Sequence, residues 1–408
     1  MRNAPPDITL ISTADWDNPY WTNKQHMAVQ FAKRGHKVLF VESEGLRAPT
    51  ATPKDLRRIW ARLKRGLRPP RQVQERIFVW SPLVVPFHRY RWVRMLNRLL
   101  LRIGIAVWCR VTGLKPQILW TYSPLTAELY DLSSYALVVY HAVDDMKMQP
   151  GMPSKAIANG EIRLATQADL IFTTAPRLQA FYKELNPNTF FFPNVADFDH
   201  FNSALDPDTH VPGDINELAR PIIGFVGAIS SYKLDFGLIA TLAQCNPKWS
   251  FVFIGEVGEG DPLTDASLLE KLPNVHILGG RPYASLPGYL KAVDVAILPC
   301  LINDYTRSMF PMKFFEYLAS GRPVVSTKIP ALSDYGHVAA LCSDSTEFSA
   351  AIRAALAGNA PALELRLAAA REHTYDIRTS RMWEKIGEAL RNPRNLSRSY
   401  HGAVSDAS

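Results

Sequence analysis

In the stretch FPMKFFEYLASGRPVVST (residues 310–327), Lys313, Glu316 and Ser320 fall at i, i+3 and i+7, on one stripe of a helical pattern. The other face is apolar: Met312, Phe315, Leu318 and Ala319. Pro311 suits a first helical turn, Gly321 supplies a stop, and Val324 and Val325 begin an extended run. A helix this apolar, feeding a buried strand, has two uses for a Lys–Glu stripe. One is a solvated face. The other is a cleft in which both charges meet a ligand. Two further stretches carry candidate chemistry. Asp144 and Asp145 follow the apolar run ALVVYHA (136–142), where a cleft-facing carboxylate can act, or where it caps the next helix. The loop DWDNPYWTNKQH (15–26) mixes polar side chains with Trp16, Tyr20 and Trp21. It is not GxGxxG, which sets aside a dinucleotide fingerprint and with it a nicotinamide dehydrogenase.

The elements that must position these residues alternate along the whole chain. Apolar runs predict strands at 8–13, 37–42, 76–82, 117–122, 136–142, 169–174 and 189–195, then at 222–229, 249–256, 274–280, 293–299, 323–328 and 338–342. Helical patterns fill the gaps at 155–168, 176–185, 234–245, 284–292 and 348–357. Continuous apolar strands alternating with helices imply parallel sheets covered on both faces. The turn-rich segment DFDHFNSALDPDTHVPGDINELARP separates two such series and reads as a linker. A chain of 408 residues also favours two domains over one core. The expected organisation is a first Rossmann-like domain at 1–200, a linker at 201–220, a second Rossmann-like domain at 221–375 and a C-terminal helix at 376–392. Ligands of such sheets sit at the carboxyl ends of the strands, so the site belongs in a cleft between the two domains.

Composition narrows the classes. The four cysteines (Cys109, Cys245, Cys300, Cys342) form no CxxC pair, which argues against a disulfide framework or zinc site and fits a reducing compartment. The N-terminus lacks a signal peptide's apolar core, and no run reaches the ~18 apolar residues of a membrane span. The net charge of +8 is uneven: residues 54–110 hold 15 Lys or Arg against Asp55 and Glu75, a local +13, so the rest sums to −5. Within that segment Arg91, Arg94, Arg98 and Arg102 recur at helical spacing, with Trp92, Leu96, Leu99 and Leu100 between them. This is a basic amphipathic helix suited to an anionic membrane surface, or an ordinary surface helix packed on its domain. No zinc-finger spacing or RNP-type signature supports nucleic acid as a partner.

Over nearly its whole length the chain resembles the GT-B glycosyltransferases of the group 1, family-4-like kind. The resemblance rests on TADWDNPYWTNKQHMAVQFAKRGHKVLFVE, FFPNVADFDHF, GFVGAISSYKLD, FVFIGE, LPNVHILGGRPYASLPGYLKAVDVAILP and PMKFFEYLASGRPVV. HTYDIRTSRMWEKIGEAL resembles the segment that crosses back to brace the first domain. The resemblance implies a nucleotide-diphosphate-sugar donor, of UDP or GDP type, in the second domain and an acceptor in the first. It gives Glu316 the two ribose hydroxyls, and Lys313 with the backbone of Met309, Phe310 and Met312 the diphosphate. It places Gly227, Ser230, Ser231 and Lys233 at the phosphates, and Arg281 and Tyr283 at the base. Asn303, Thr306, Arg307 and Ser308 fall in the loop that wraps the sugar and diphosphate. Ser308 departs from the pattern, because retaining members carry a glutamate there. That departure leaves stereochemistry open.

On the acceptor side, aromatic faces pack on pyranose rings, so Trp16, Asn18, Tyr20 and Trp21 are candidates. An inverting transfer needs a base for the acceptor hydroxyl; Asp144 or Asp145 is expected, with Asp15 and His26 as lesser candidates. DFD (197–199) is a literal DxD, but it matches the hinge segment, and no metal or other cofactor is expected. The expectation is a glycosyltransferase of surface polysaccharide assembly, peripheral on the inner membrane face, acting on a glycan or polyprenyl-linked acceptor. A nucleotide-sugar epimerase of the same architecture and a non-catalytic glycan-binding scaffold are the alternatives.

Overall fold

The computed structural model describes residues 5–18, 21–45, 66, 68–85, 90–259, 261 and 263–391. Tyr20 and most of the basic stretch at 54–67 therefore lie outside the described residues.

Short β-branched and aromatic runs such as VLFV and LVVYHA are buried at every position, as strands covered on both faces require. They form two sheets. The first runs β3 (Arg71–Gln74), β4 (Ile77–Trp80), β2 (Val38–Val41), β1 (Asp7–Ile11), β5 (Pro116–Thr121), β6 (Leu137–Ala142), β7 (Leu170–Thr173) and β8 (Thr189–Phe191). The second runs β11 (Val275–Gly279), β10 (Ser250–Ile254), β9 (Ile222–Val226), β12 (Val295–Leu298), β13 (Val324–Thr327) and β14 (Ala340–Cys342). All pairings are parallel except β3 with β4. The α/β architecture expected of the sequence, two parallel sheets covered by helices, is present. β3 (RQVQ) was not expected: it is polar, mostly exposed and sits on the sheet edge, where pairing with one neighbour asks for no apolar pattern.

Each face of the first sheet has its own core. Met27, Ala28 and Phe31 of the helix Asn23–Lys33 pack on one face together with Met382, Ile386 and Ala389 of the helix Tyr375–Arg391. Leu101, Ile157, Leu164 and Leu178, from the helices Arg91–Thr112, Ser154–Gln167 and Pro176–Leu185, cover the other. The chain's last described helix thus returns to the first sheet after the second is complete. The segment expected as a free linker is docked instead. Phe201, Ala204 and Ile215 are buried in the second domain's core, and Lys291 Nζ donates to the carbonyls of Asp206, Pro207 and Thr209 at 2.6–3.0 Å. Its polar surface concealed three well-spaced apolar anchors.

Candidate functional site

Strand order reverses between β1 and β5 in the first sheet and between β9 and β12 in the second. A crevice at the carboxyl ends of such strands is where doubly wound sheets bind ligands. The loops leaving β1, β6, β9 and β12 carry the candidate residues.

On the second domain, Glu316 is 3% exposed and its Oε2 accepts from Lys313 Nζ at 2.7 Å. Burial pushes its carboxyl up, opposed by Lys313 and aided by nearby Asp197. The stripe is therefore no solvated face. The helix itself is short, Lys313–Ala319. Fewer backbone donors are open than expected before it: Met309 N–H donates to Thr306, Phe314 N–H donates to Pro311, and Pro311 has none. Phe310 is buried against Phe315 with rings 5.5 Å apart.

In the loop after β9, Gly227 N–H donates to the Ile254 carbonyl at 2.9 Å. A Cβ on Gly255 would lie 1.8 Å from the Gly227 oxygen, so this close backbone approach requires glycine there. The hydroxyls of Ser230 and Ser231 are engaged within the protein, on the Glu259 carbonyl (2.5 Å) and Asp261 Oδ2 (3.0 Å). Asn303 and Thr306 form a reciprocal capping box on Asp304–Arg307, and Asn303 Nδ2 also donates to the Tyr232 carbonyl at 2.8 Å. Ser308 Oγ donates to the Asp304 carbonyl at 3.1 Å, and Arg307 is exposed on the same turn. Asn303, Thr306 and the three serine hydroxyls thus brace the loop by hydrogen bonds within the protein.

The two adjacent aspartates point to different partners. Asp145 pairs with Lys147 at 2.8 Å, which also reaches the buried Glu161 at 3.2 Å inside the first domain. Asp144 crosses to the second domain, accepting from Tyr305 Oη at 3.2 Å. Lys233 lies nearby, its Nζ 5.2 Å from the Tyr232 ring and 5.7 Å from the Tyr305 ring. Burial alone would lower the Lys233 pKa, but Tyr232 and Asp144 outweigh it and the net shift is upward.

Trp16, Asp17, Asn18 and Trp21 of the first domain face Glu256, Gly280, Arg281, Pro282 and Tyr283 of the second across a cavity of about 610 Å³. Tyr283 stacks on His200 (4.3 Å, 12°) and lies 6.3 Å from Trp21. The Arg281 guanidinium turns to Asp214 Oδ2 and Tyr289 Oη, both at 2.6 Å, leaving its backbone beside the cavity. His26 stacks on Tyr375 at 4.2 Å, and burial, with Arg378 and Lys313 nearby, lowers it to about 3. Its ring is buried in the interdomain packing, against Trp21, Tyr283 and Tyr375. Asp15 uses its carbonyl to accept from Gln25 Nε2 at 3.1 Å, bracing the loop.

A hydrogen-bonded chain locks the domains together. Asn194 Nδ2 donates to the Phe310 carbonyl (2.7 Å), Asn23 Nδ2 donates to Asn194 Oδ1 (2.8 Å), and Arg378 Nη2 donates to Asn23 Oδ1 (2.8 Å). Asn23, Asn194, Tyr305 and Arg378 were not singled out from the sequence. Arg378 was legible: it shares a helical stripe with Met382 and Ile386, and a lone arginine on an apolar face needs a buried partner.

Residues 220–358 match the family model described as glycosyl transferases group 1. The chain is 24% identical over 343 residues to the putative teichuronic acid biosynthesis glycosyltransferase TuaH of Bacillus subtilis (strain 168), covering 79% of this chain and 81% of that protein. Among solved structures it resembles sucrose-phosphate synthase from Thermosynechococcus elongatus, with TM-score 0.66, 15% identity, and 94% and 100% of the two chains covered. It also resembles Anabaena HepE in complex with UDP-glucose, with TM-score 0.63, 14% identity, and coverage of 94% and 99%. The chain has the GT-B fold of these structures, and its second domain is similar to the group 1 glycosyl transferases over residues 220–358.

Proposed function

We propose that this protein transfers a sugar from a nucleoside-diphosphate sugar to a glycan or lipid-linked acceptor in surface polysaccharide assembly. The observation that carries this is Glu316, a carboxylate buried at the interdomain face and held by Lys313 alone among the described ion pairs. Two ribose hydroxyls donating to it would each contribute about 1.5–3 kcal/mol in a water-shielded site. The GT-B fold and the TuaH likeness agree with this reading.

In the proposed step Asp144 takes the acceptor hydroxyl's proton as that oxygen attacks the anomeric carbon. The bond to the diphosphate oxygen breaks, and the nucleoside diphosphate leaves with the bonding pair. Lys233 and Lys313 stabilise the leaving charge, the role a divalent metal otherwise fills. Asp144 is preferred to Asp145 because Asp145 is tied to Lys147. Turnover is expected to persist in EDTA; a loss restored by Mg²⁺ or Mn²⁺ would sink the metal-independent reading.

The helix Arg91–Thr112 brings the enzyme to anionic lipid. Val93, Asn97 and Leu101 face the domain, while Trp92, Met95, Leu99, Ile103 and Val111 are more than half exposed, beside the exposed Arg98, Arg102 and Arg110. No helix among the described residues is long and apolar enough to cross a membrane. Co-sedimentation with anionic liposomes at ~0.15 M salt is expected, and a protein that stays in the supernatant rules out docking by this face.

The decisive experiment is thermal unfolding with UDP, GDP, ADP and CMP on wild type and Glu316→Ala. A nucleotide at 100 times its Kd adds about 2.7 kcal/mol. One nucleotide should shift the wild type and not the variant. No shift with any of them would remove the support for a nucleotide-sugar donor.

A further inference from the structure

Arg366, on the helix Leu363–Glu372 of the second domain, is a buried cation without a partner. The residue is 7% exposed, and its Nε and Nη1 are buried with no hydrogen-bond partner. Among the described residues it enters no ion pair. Arg378 shows how a buried arginine is ordinarily satisfied: it donates to Asn23 Oδ1 and to the Pro193 carbonyl. A buried lysine can shed its proton, but an arginine keeps its charge. Only a counter-charge relieves the burial of such a group.

Arg366 adjoins an arginine cluster at the end of the second sheet that faces away from the cleft. Arg220, Asp294 and Arg322 immediately precede β9, β12 and β13, which are neighbours in the sheet, so they stand at the amino ends of its strands. Arg220 Nη2 donates to the Ala292 carbonyl at 3.0 Å, and Arg322 Nη1 donates to the next carbonyl, Val293, at 3.1 Å. Leu363 packs on Gly321, where an added Cβ would meet its Cδ1 at 3.1 Å, and Arg366 lies one turn further along the same helix face. The one carboxylate of the cluster is already committed. Asp294 Oδ1 accepts from Arg220, and its Oδ2 accepts from the Ile222 N–H at 2.7 Å. Burial, with the repulsion of Arg322, pulls the Arg366 pKa down, opposed by Glu364, which is exposed on the same helix. Arg322 and Pro323 are half-buried, so the seam between their turn and the helix is where the Arg366 side chain can turn outward.

We propose that Arg366 and Arg322 form an anion-binding site on the second domain, remote from the interdomain cleft, that takes one phosphate or carboxylate group. The planar fork of a guanidinium matches the paired oxygens of either. Two sources carry this chemistry: a free phosphate compound and the carboxylate of an acidic sugar. The site stands apart from the transferase reading, because its residues lie at the amino ends of the strands and the donor candidates at the carboxyl ends.

The test is calorimetric titration, at constant ionic strength in chloride, of wild type, Arg366→Met, Arg322→Gln and Glu316→Ala. The probes are inorganic phosphate, pyrophosphate and glucuronate. Wild type and Glu316→Ala should bind at least one probe alike, and Arg366→Met should bind it tenfold or more weakly. Arg322→Gln should weaken the same probe. Tighter binding of phosphate or pyrophosphate assigns the site to a phosphate compound, and tighter binding of glucuronate assigns it to an acidic sugar. The preferred probe should also raise the Tm of wild type and leave that of Arg366→Met unchanged. Equal affinities in wild type and Arg366→Met overturn the proposal, as does a wild type that binds none of the three. Binding lost in Glu316→Ala but kept in Arg366→Met puts the anion in the cleft and overturns it too. Should Arg366→Met fail to fold, Arg322→Gln decides, and wild-type affinity in that variant overturns the site.

Discussion

Asn194 is the link whose removal should be felt across the whole molecule. It is buried, donates to the Phe310 carbonyl of the second domain and accepts from Asn23 of the first. Asn194→Ala leaves a buried carbonyl and a buried amide N–H without partners, since Asn23 and Phe310 are themselves only 2% and 1% exposed. Each orphaned group costs about 1–3 kcal/mol, or about 2–6 kcal/mol together. With about 2.1 cal/mol/K of unfolding entropy per residue, 408 residues unfolding as one unit would lose roughly 2–7 °C. One of the two lost bonds, Asn194 to Phe310, crosses between domains, so a single calorimetric transition should broaden or split, and the shift of the weaker domain should then be larger. A double-mutant cycle with Asn23→Ala isolates the Asn23–Asn194 bond, with an expected coupling of about 0.5–3 kcal/mol. Asn194→Asp tests the geometry: it keeps an acceptor for Asn23 but sets a carboxylate against the Phe310 carbonyl, so it should be no better than alanine. A variant within about 0.5 kcal/mol of wild type, with zero coupling, would refute the argument that this chain joins the domains.

Gly255→Ala drives a methyl into the Gly227 carbonyl, at 1.8 Å in the unrelaxed structure, so the loop after β9 must move; nucleotide affinity measured by calorimetry should fall at least tenfold while the far-UV spectrum is retained. His26 is held near 3 in the folded protein against 6.5 unfolded, so the unfolded state binds the extra proton between those values. Stability should be fully present above pH 6.5 and decline as pH falls toward 3, by about 1.4 kcal/mol per pH unit from this group, and His26→Phe should flatten that profile in denaturant titrations. Tyr305→Phe removes the hydroxyl that Asp144 accepts from, so kcat should fall in steady-state assays because the carboxylate loses the contact that orients it toward the second domain. Asp144→Asn should lower kcat by about 10²–10⁴-fold, whereas Asp145→Asn should act on stability through Lys147 and Glu161.

The alternation of strands and helices was readable because it is a local property. Runs such as VLFV and LIFT declare burial on two faces without reference to the rest of the chain. The Lys–Glu stripe on residues 313–316 was visible for the same reason, since helical spacing brings i and i+3 together wherever the helix lies. Docking was not readable. The segment 197–221 looked like a linker because its apolar anchors, Phe201, Ala204 and Ile215, follow no single period. The capping role of Asn303 and Thr306 was not readable either, because a cap and a binding residue use the same side chains.

Residue type and spacing by themselves determined that this chain would build two parallel sheets with candidate ligand residues at their carboxyl ends. Tertiary structure alone decided which of two neighbouring aspartates faces the other domain: successive residues leaving β6 point apart, and only the partner surface tells Tyr305 from Lys147. It likewise decided that Asn23, Asn194 and Arg378, separated by 171 and 355 residues from Asn23, would close into one buried network. Hydrogen bonds reach about 3 Å in space but carry no trace of separation along the chain, so such a network exists only once the fold has brought its members together.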